Sequence, residues 1–193
     1  KEGLERVASG ERQTGIEGHR DRAANLEAGE RWQDAVAEYE AALAIDSGLV
    51  FAIEGKRRAG DRAELDERLQ GFIDQPERLY SANVLRLAGE GIREASQIPD
   101  PGPRLVGQAT KLATLMEDAT KPVPVTLRSD NRTDIVVFRV GRLGTFDKFE
   151  LQLNPGTYTV QGTREGYRDV QHKLTVRPGE RVGPVMIRCE EPI

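Results

Sequence analysis

Few residues of this chain have a type and spacing that suit catalysis. The two histidines, His19 and His172, stand in segments that we predict to belong to different domains. No group of His, Cys, Asp or Glu has the spacing of a zinc site. Neither a phosphate-binding loop nor a nucleophile elbow occurs. We therefore expect a protein that is not an enzyme and has no metal and no cofactor; an enzyme would require titratable groups that converge in one deep pocket.

The densest cluster of oxygen donors is the segment SDNRTD at residues 129–134. A helical calcium loop would need a glycine at its sixth position and a distant glutamate, and this segment has neither. Asp and Asn side chains often close turns by accepting hydrogen bonds from nearby backbone amides. The segment therefore predicts a turn closed by Asp130 and Asn131.

The chain contains one cysteine, Cys189, so a disulfide within the chain is excluded. The structural interpretation is that Cys189 packs as a small apolar residue at the end of a strand. A bridge to another chain and a reactive thiol remain the functional alternatives. His172 stands in a polar strand pattern, which predicts an exposed side chain.

The totals argue against nucleic acid as a partner. The 193 residues include 32 acidic and 28 basic side chains, and the formal net charge is −4. A nucleic-acid surface calls for an excess of basic residues on one face. No run approaches the ~20 apolar residues of a membrane span. Because the chain begins at Lys1 without a methionine, we expect it to be part of a longer protein.

The composition changes near residue 121. Ala, Leu, Glu and Arg dominate before this point, whereas Val, Thr, Gly and alternating apolar residues follow it. The junction Lys121-Pro122-Val123-Pro124 cannot continue a helix and favours an extended connection. We predict a two-domain α+β fold, with an α-helical domain at 1–120, a proline-rich linker at 121–124 and a small antiparallel β-sandwich at 125–193.

Apolar residues recur at helical spacing in the first half. The pattern predicts a helical hairpin whose second helix covers residues 32–45. It predicts a third helix from Leu49 to about Leu69, interrupted or bent near Gly60-Asp61, and a further helix that begins at Pro76. The last predicted helix runs from about Arg104 to Ala119.

The segment LEAGERWQDAVAEYEAALAIDS, residues 26–47, resembles the second half of a tetratricopeptide repeat. In that family a glycine ends the first helix, and the second helix alternates small and aromatic residues before Ala-Leu. The matching residues are Gly29, Trp32, Ala35, Tyr39, Ala42, Leu43 and Asp46. The turn after Gly29 is one residue longer than in the family, and Ser47 replaces its usual proline. No second repeat is clear at a spacing of about 34 residues.

The second half contains six or seven segments in which apolar and polar residues alternate, as in a sandwich. Ile135 and Val137 are predicted to face one way, and Val136, Phe138 and Val140 the other. This half resembles the PEGA-type domain, a small prealbumin-like sandwich. The residues that carry the resemblance are 140–144, 153–160, 165–167 and 176–180. The segment 129–134 replaces the proline-rich turn that names the family.

Together the two resemblances imply a non-enzymatic scaffold of the bacterial cell envelope. They imply a periplasmic or otherwise extracytoplasmic location and a membrane anchor outside this chain. Stacked helical hairpins leave a groove that binds peptides or helices, so a protein or peptide partner is predicted, with the β domain as a rigid accessory. The candidate contact residues are Trp32, Tyr39, Arg57 and Arg58. Core packing of the two aromatics and a solvated face for the two arginines are the structural alternatives.

The stretch LNPGTYTVQGTREGYRDV, residues 153–170, predicts a hairpin. Asn154-Pro155-Gly156 has the composition of a turn, and Tyr158 and Val160 are predicted to point into the core. Tyr167 is predicted to cover the core from outside. An alternative function, peptidoglycan or carbohydrate binding by the sandwich, would require Tyr158 and Tyr167 to be exposed.

Overall fold

The computed structural model of the chain describes the backbone of residues 2–193 and the side chains from residue 10 onward. Helices fill the N-terminal part and strands the C-terminal part, which is the predicted α+β layout. The helices are α1 (Glu2–Ala28), α2 (Trp32–Ile45), α3 (Val50–Asp74), a 3₁₀ helix (Pro76–Tyr80), α4 (Ala82–Ser96) and α5 (Pro103–Thr120). No helix within residues 2–193 is long and apolar enough to cross a membrane.

The backbone contacts divide the chain into two compact units. The helical unit contains the chain up to Asp74 together with Gly89–Leu112, and the mixed unit contains Gln75–Ala88 and Ala113–Ile193. Helices α4 and α5 therefore contribute residues to both units. Strand β1 begins at Val123, so the last two residues of the predicted linker at 121–124 belong to a strand.

Small residues bring the first three helices together. Ala23, Ala35, Ala42, Ala52 and Ala59 are fully buried in one cluster. At these positions a larger side chain would hold the helices apart, and Tyr39 and partly buried Leu and Val side chains fill the space around them.

Two details of the predicted helices are wrong. Helix α3 is not interrupted near Gly60 and extends to Asp74, because the buried side chains Leu65 and Leu69 keep the second half of this helix packed. The predicted helix from Pro76 is divided, since Ser81 has an extended backbone between the 3₁₀ helix and α4.

Seven strands form two sheets. The strands are β1 (Val123–Arg128), β2 (Asp134–Val137), β3 (Gly141–Gly144), β4 (Lys148–Leu153), β5 (Gly156–Thr163), β6 (Val170–Val176) and β7 (Val182–Met186). One sheet has the order β4-β1-β7 and the other β3-β2-β5-β6. All pairs are antiparallel except β1 with β7, which is parallel.

The composition at Asn154 and Pro155 predicted a turn within a hairpin, but this connection does not join two paired strands. It carries the chain from β4 in the first sheet to β5 in the second. The hairpin of this region is formed by β5 and β6, with a register from Gly156 opposite Val176 to Gly162 opposite Val170.

The predicted alternation of the strands describes the core well. Ile135 and Val137 are fully buried, whereas Phe138 and Val140 are exposed. The buried residues of this core are Val123, Val125, Leu127, Ile135, Val137, Phe146, Leu153, Val160, Leu174, Val176 and Ile187.

Tyr167 does not cover this core. Its ring lies under the guanidinium of Arg164, 3.9 Å from the ring centroid to the guanidinium carbon. Its backbone bridges to Pro192 near the C-terminus. Cys189 is buried, and its thiol lies 3.3 Å from the carbonyl oxygen of Gly162. His172 is exposed on β6, as predicted.

Candidate functional site

The four residues predicted to contact a partner have different surroundings. Tyr39 is buried between α1, α2 and α3, and its hydroxyl donates a 3.1 Å hydrogen bond to Oε1 of Glu27. Arg58 donates to both oxygens of Glu27, at 2.9 and 3.1 Å. Arg57 is exposed, and its nearest carboxylate oxygen, on Asp61, is 3.7 Å away. Burial and the Glu27 carboxylate raise the pKa of Tyr39 above its usual value.

Of the four, Trp32 lines a cavity of the helical unit. It is the first residue of α2 and is half-buried. The cavity has a volume of about 630 Å³ and lies within the helical unit. Its lining residues are Glu30, Arg31, Trp32, Gln33, Asp34, Ala63, Asp66, Glu67 and Arg104. An indole therefore stands among charged side chains in an open depression.

Two contacts with arginine fix the walls of this cavity. The guanidinium of Arg62 lies over the Trp32 ring, 4.4 Å from its centroid, which is the geometry of a cation–π interaction. Arg104 donates to both carboxylate oxygens of Asp66, at 2.6 and 2.7 Å. A bidentate arginine–carboxylate pair of this kind holds both side chains in one orientation. The Arg104–Asp66 pair therefore gives the cavity a polar wall of defined orientation.

Glu30 supports the same wall from below. It follows α1 in a left-handed conformation, with φ of 53°, and is 7% exposed. Its carboxylate accepts hydrogen bonds from the amides of Arg104 at 2.7 Å and Leu105 at 3.1 Å, in the first turn of α5. The free amides and the dipole at a helix N-terminus favour a negative charge there. Glu30 thus anchors the start of α5, and with it Arg104.

Glu30, Asp66 and Arg104 were not among the site residues predicted from the sequence. One signal for Glu30 was present, because the turn after Gly29 is one residue longer than in the family that it resembles. Glu30 occupies that longer turn. No local pattern could pair Asp66 with Arg104, since they lie on different helices and each is typical of a solvated helix face.

The turn at residues 129–134 is closed by Asp130. Its Oδ1 accepts hydrogen bonds from the amides of Arg132 at 3.0 Å and Thr133 at 2.8 Å. Burial raises the pKa of Asp130, but these amide hydrogen bonds outweigh burial, and the pKa lies below its usual value. Asn131 has a left-handed backbone, with φ of 56°. Its backbone amide donates a 3.0 Å hydrogen bond to the carbonyl oxygen of Phe146. Among the residues with described side chains, no group of three or more His, Cys, Asp or Glu could hold a metal ion.

The two tyrosines of the alternative carbohydrate hypothesis differ in their contacts. Tyr158 is half-buried against the core of the sandwich and donates a 2.8 Å hydrogen bond to the carbonyl oxygen of Asn154. Tyr167 is covered on one face by Arg164.

No protein-family model matches the chain, and no curated protein matches it.

Proposed function

We propose that the chain is a non-enzymatic protein-interaction module that binds a peptide segment of a partner protein through the Trp32 cavity. The observation that carries this proposal is a half-buried indole in an open cavity of about 630 Å³ with a rim of charged residues. Protein interfaces commonly place tryptophan at their energetic centre and polar groups at their rim.

The charged rim defines the chemistry of the peptide. Four acidic residues line the cavity, whereas only two basic residues do. The acidic residues are Glu30, Asp34, Asp66 and Glu67, and the basic ones are Arg31 and Arg104. Asp66 and Arg104 satisfy each other, and Asp34 pairs with Arg31 at 2.7 Å. Glu67 adds a negative charge at the exposed edge. We therefore expect a peptide with an apolar side chain next to a basic one.

The same proposal assigns α1 and α2 to a tetratricopeptide-like hairpin and the sandwich to a PEGA-like accessory domain. The fully buried Ala35 and Ala42, and Gly55 against the Tyr39 ring, support the first assignment, because such hairpins need small residues where their helices meet. The β2–β3 hairpin at Val140 to Gly144 supports the second. Both assignments imply an extracytoplasmic scaffold. Recovery of the protein in the cytosolic fraction of its source cells would contradict that location.

The binding proposal is tested with a random peptide library displayed on phage and selected on the intact chain. Trp32 is the only tryptophan of the chain, so its emission reports directly on the cavity. Selected peptides should shift Trp32 emission and should bind the Trp32→Ala chain at least about tenfold more weakly, as expected for an interface centre.

A charge-reversal variant, Glu67→Lys, separates lost binding from lost folding. Glu67 is exposed, so this variant should unfold like the parent while binding basic peptides less tightly. The matched control is Glu54→Lys on the exposed face of the same helix, outside the cavity. Peptides that bind all these chains equally would show that the Trp32 cavity is not the binding site.

A further inference from the structure

A second cavity lies within the mixed unit, at the end of the sandwich that faces the 3₁₀ helix. It has a volume of about 910 Å³ and is lined by Tyr80, Arg139, Thr157, Thr175 and Arg177 among others. A neighbouring cavity of about 400 Å³ shares Tyr80, Arg139, Gly156 and Thr157 with it. The two cavities are therefore adjacent, and we call them together the sandwich-end cleft.

The larger part of this cleft is polar and carries positive charge. Thr157 and Thr175 stand opposite each other on neighbouring strands, and both side chains are exposed. Arg139 extends from the β2–β3 turn with φ of 70°, and among the described residues its guanidinium has no ion-pair partner. Arg177 has only a loose contact with Glu180, at 3.7 Å. Of the residues that line this part, Glu77 alone is acidic.

The net charge of the whole mixed unit also favours an anionic ligand. Gln75–Ala88 and Ala113–Ile193 together carry 14 Lys and Arg residues against 12 Asp and Glu residues, a net charge of +2. The rest of the chain carries 14 against 20, a net charge of −6. A positive cleft on a positive unit attracts an anionic partner from a distance, although the net charge of the chain is negative.

The smaller part of the cleft has a mixed lining in which apolar side chains lie beside polar ones. Pro122, Val140, Pro155 and Tyr158 contribute to its lining. Val140 is 45% exposed, so its side chain is accessible to a ligand. The Tyr158 hydroxyl is already bonded to Asn154, so its ring offers mainly apolar surface. An apolar ligand group would be covered here while a charged group of the same ligand reached Arg139.

We propose that the sandwich-end cleft binds an acidic peptide, with a carboxylate held by Arg139 and Arg177 and an adjacent apolar side chain against Val140 and Tyr158. A peptide fits better than a polysaccharide, because arginine forks match planar carboxylates and the cleft places the apolar part beside the charged part. This site is separate from the Trp32 cavity, and its residues do not enter the proposed function.

The test uses fluorescence anisotropy of two labelled octapeptides with the intact chain at low salt. In one probe Leu alternates with Glu, and in the other Gln replaces every Glu. We expect the Glu probe to bind about tenfold or more tightly than the Gln probe, since each charged hydrogen bond contributes about that factor. Raising the salt concentration should weaken only the Glu probe.

Variants locate the binding. The double variant Arg139→Gln/Arg177→Gln should lose roughly tenfold or more in affinity for the Glu probe. The matched control is Arg142→Gln/Arg168→Gln, which removes the same charge from two exposed arginines that do not line the cleft. All four arginines are exposed, so both double variants should melt like the parent.

Three results would overturn the proposal. The first is equal affinity for the Glu and Gln probes, including no measurable binding of either. The second is an equal loss in the cleft and control double variants, which would indicate a general charge effect. The third is binding of purified cell-wall sacculi that depends on Arg139 and Arg177 while the Glu probe does not bind, which would assign the cleft to a polysaccharide. Trp32-dependent binding is unaffected by all three.

Discussion

Two glycines of α3 differ in what surrounds the position that a side chain would take. A methyl group on Gly55 would lie 2.3 Å from the ring of Tyr39, whereas a methyl group on Gly60 would meet nothing within 4 Å. We predict that Gly55→Ala destabilises the helical unit by about 1–3 kcal/mol through overpacking. Gly60→Ala should instead stabilise it by roughly 0.5–1 kcal/mol, because alanine is the better helix former.

Urea unfolding followed by Trp32 fluorescence measures both variants, since this tryptophan lies in the helical unit. The two substitutions add the same atoms to the same helix, so their difference isolates the contact with Tyr39. Equal effects of the two variants would contradict the close packing of Tyr39 against Gly55.

Glu30 is the second residue with a measurable role. We predict that Glu30→Ala lowers the free energy of unfolding of the helical unit by about 1–3 kcal/mol, because the amides of Arg104 and Leu105 lose their acceptor. Glu40→Ala is the control, since Glu40 forms only an exposed pair with Lys56, and we expect a loss of about 0–1 kcal/mol. Trp32 fluorescence in urea is again the measurement. A loss no larger than that of the control would show that Glu30 does not stabilise α5.

The sequence could predict which face of α2 is buried but not the depth of each residue. Trp32 and Tyr39 follow the same helical stripe, yet Tyr39 is buried and Trp32 borders a cavity. Periodicity reports a direction from the helix axis. The extent of the neighbouring helices decides whether a side chain in that direction is covered, and this depends on contacts far apart in sequence. For the same reason Arg58, typical of a solvated face, pairs with Glu27 of another helix.

At the level of single elements, the turn before β2 depends on one carboxylate. We predict that Asp130→Asn destabilises the mixed unit by about 1 kcal/mol near neutral pH, since it keeps an acceptor for the two amides but loses the charge. Asp147→Asn is the control, because Asp147 makes only an exposed pair with Arg128. Hydrogen exchange of the Arg132 and Thr133 amides measures the effect locally.

The effect of Asp130 should depend on pH with a defined sign. Its pKa is lowered in the folded protein, so the ionised carboxylate stabilises the fold at pH values above its unfolded pKa of about 3.9. This contribution is lost as the pH falls through the lower, folded pKa. The difference between the parent and Asp130→Asn should therefore be largest near neutral pH and vanish in acid. A difference that is constant with pH would assign the effect to geometry rather than charge.

The strands show why faces are easier to predict than neighbours. Alternation identified the buried side chains of β2 correctly, because the period of a strand is fixed by its backbone. Asn154-Pro155-Gly156 was predicted to be a turn within a hairpin, and it connects two sheets, whereas the hairpin of this stretch is formed by β5 and β6. Proline and glycine set a local change of direction and carry no information about which strand comes to lie alongside. The parallel pairing of β1 with β7 is likewise invisible to local patterns.

At the level of the whole molecule, two divisions of the chain can be distinguished by experiment. The change in composition predicted a boundary at residues 121–124. The backbone contacts instead group Gln75–Ala88 and Ala113–Thr120 with the strands. Tyr80, from the first of these segments, lines the sandwich-end cleft, so the contact division also assigns it a place in a binding site.

We predict that a fragment of residues 121–193 melts at a lower temperature than a fragment of residues 75–193. The shorter fragment lacks the helical segments that belong to the same compact unit, and a compact unit is most stable when it is intact. Thermal unfolding followed by circular dichroism in the strand region of the spectrum measures the stability of both fragments. Fluorescence anisotropy of the Glu octapeptide measures binding, and the shorter fragment should bind it less tightly because it lacks Tyr80. Equal melting temperatures would favour the boundary at 121–124, and equal affinities would remove the 3₁₀ helix from the cleft. Because stability and binding are read separately, a fragment that melts lower yet binds equally well would show that the helical segments support the sandwich without forming its ligand site.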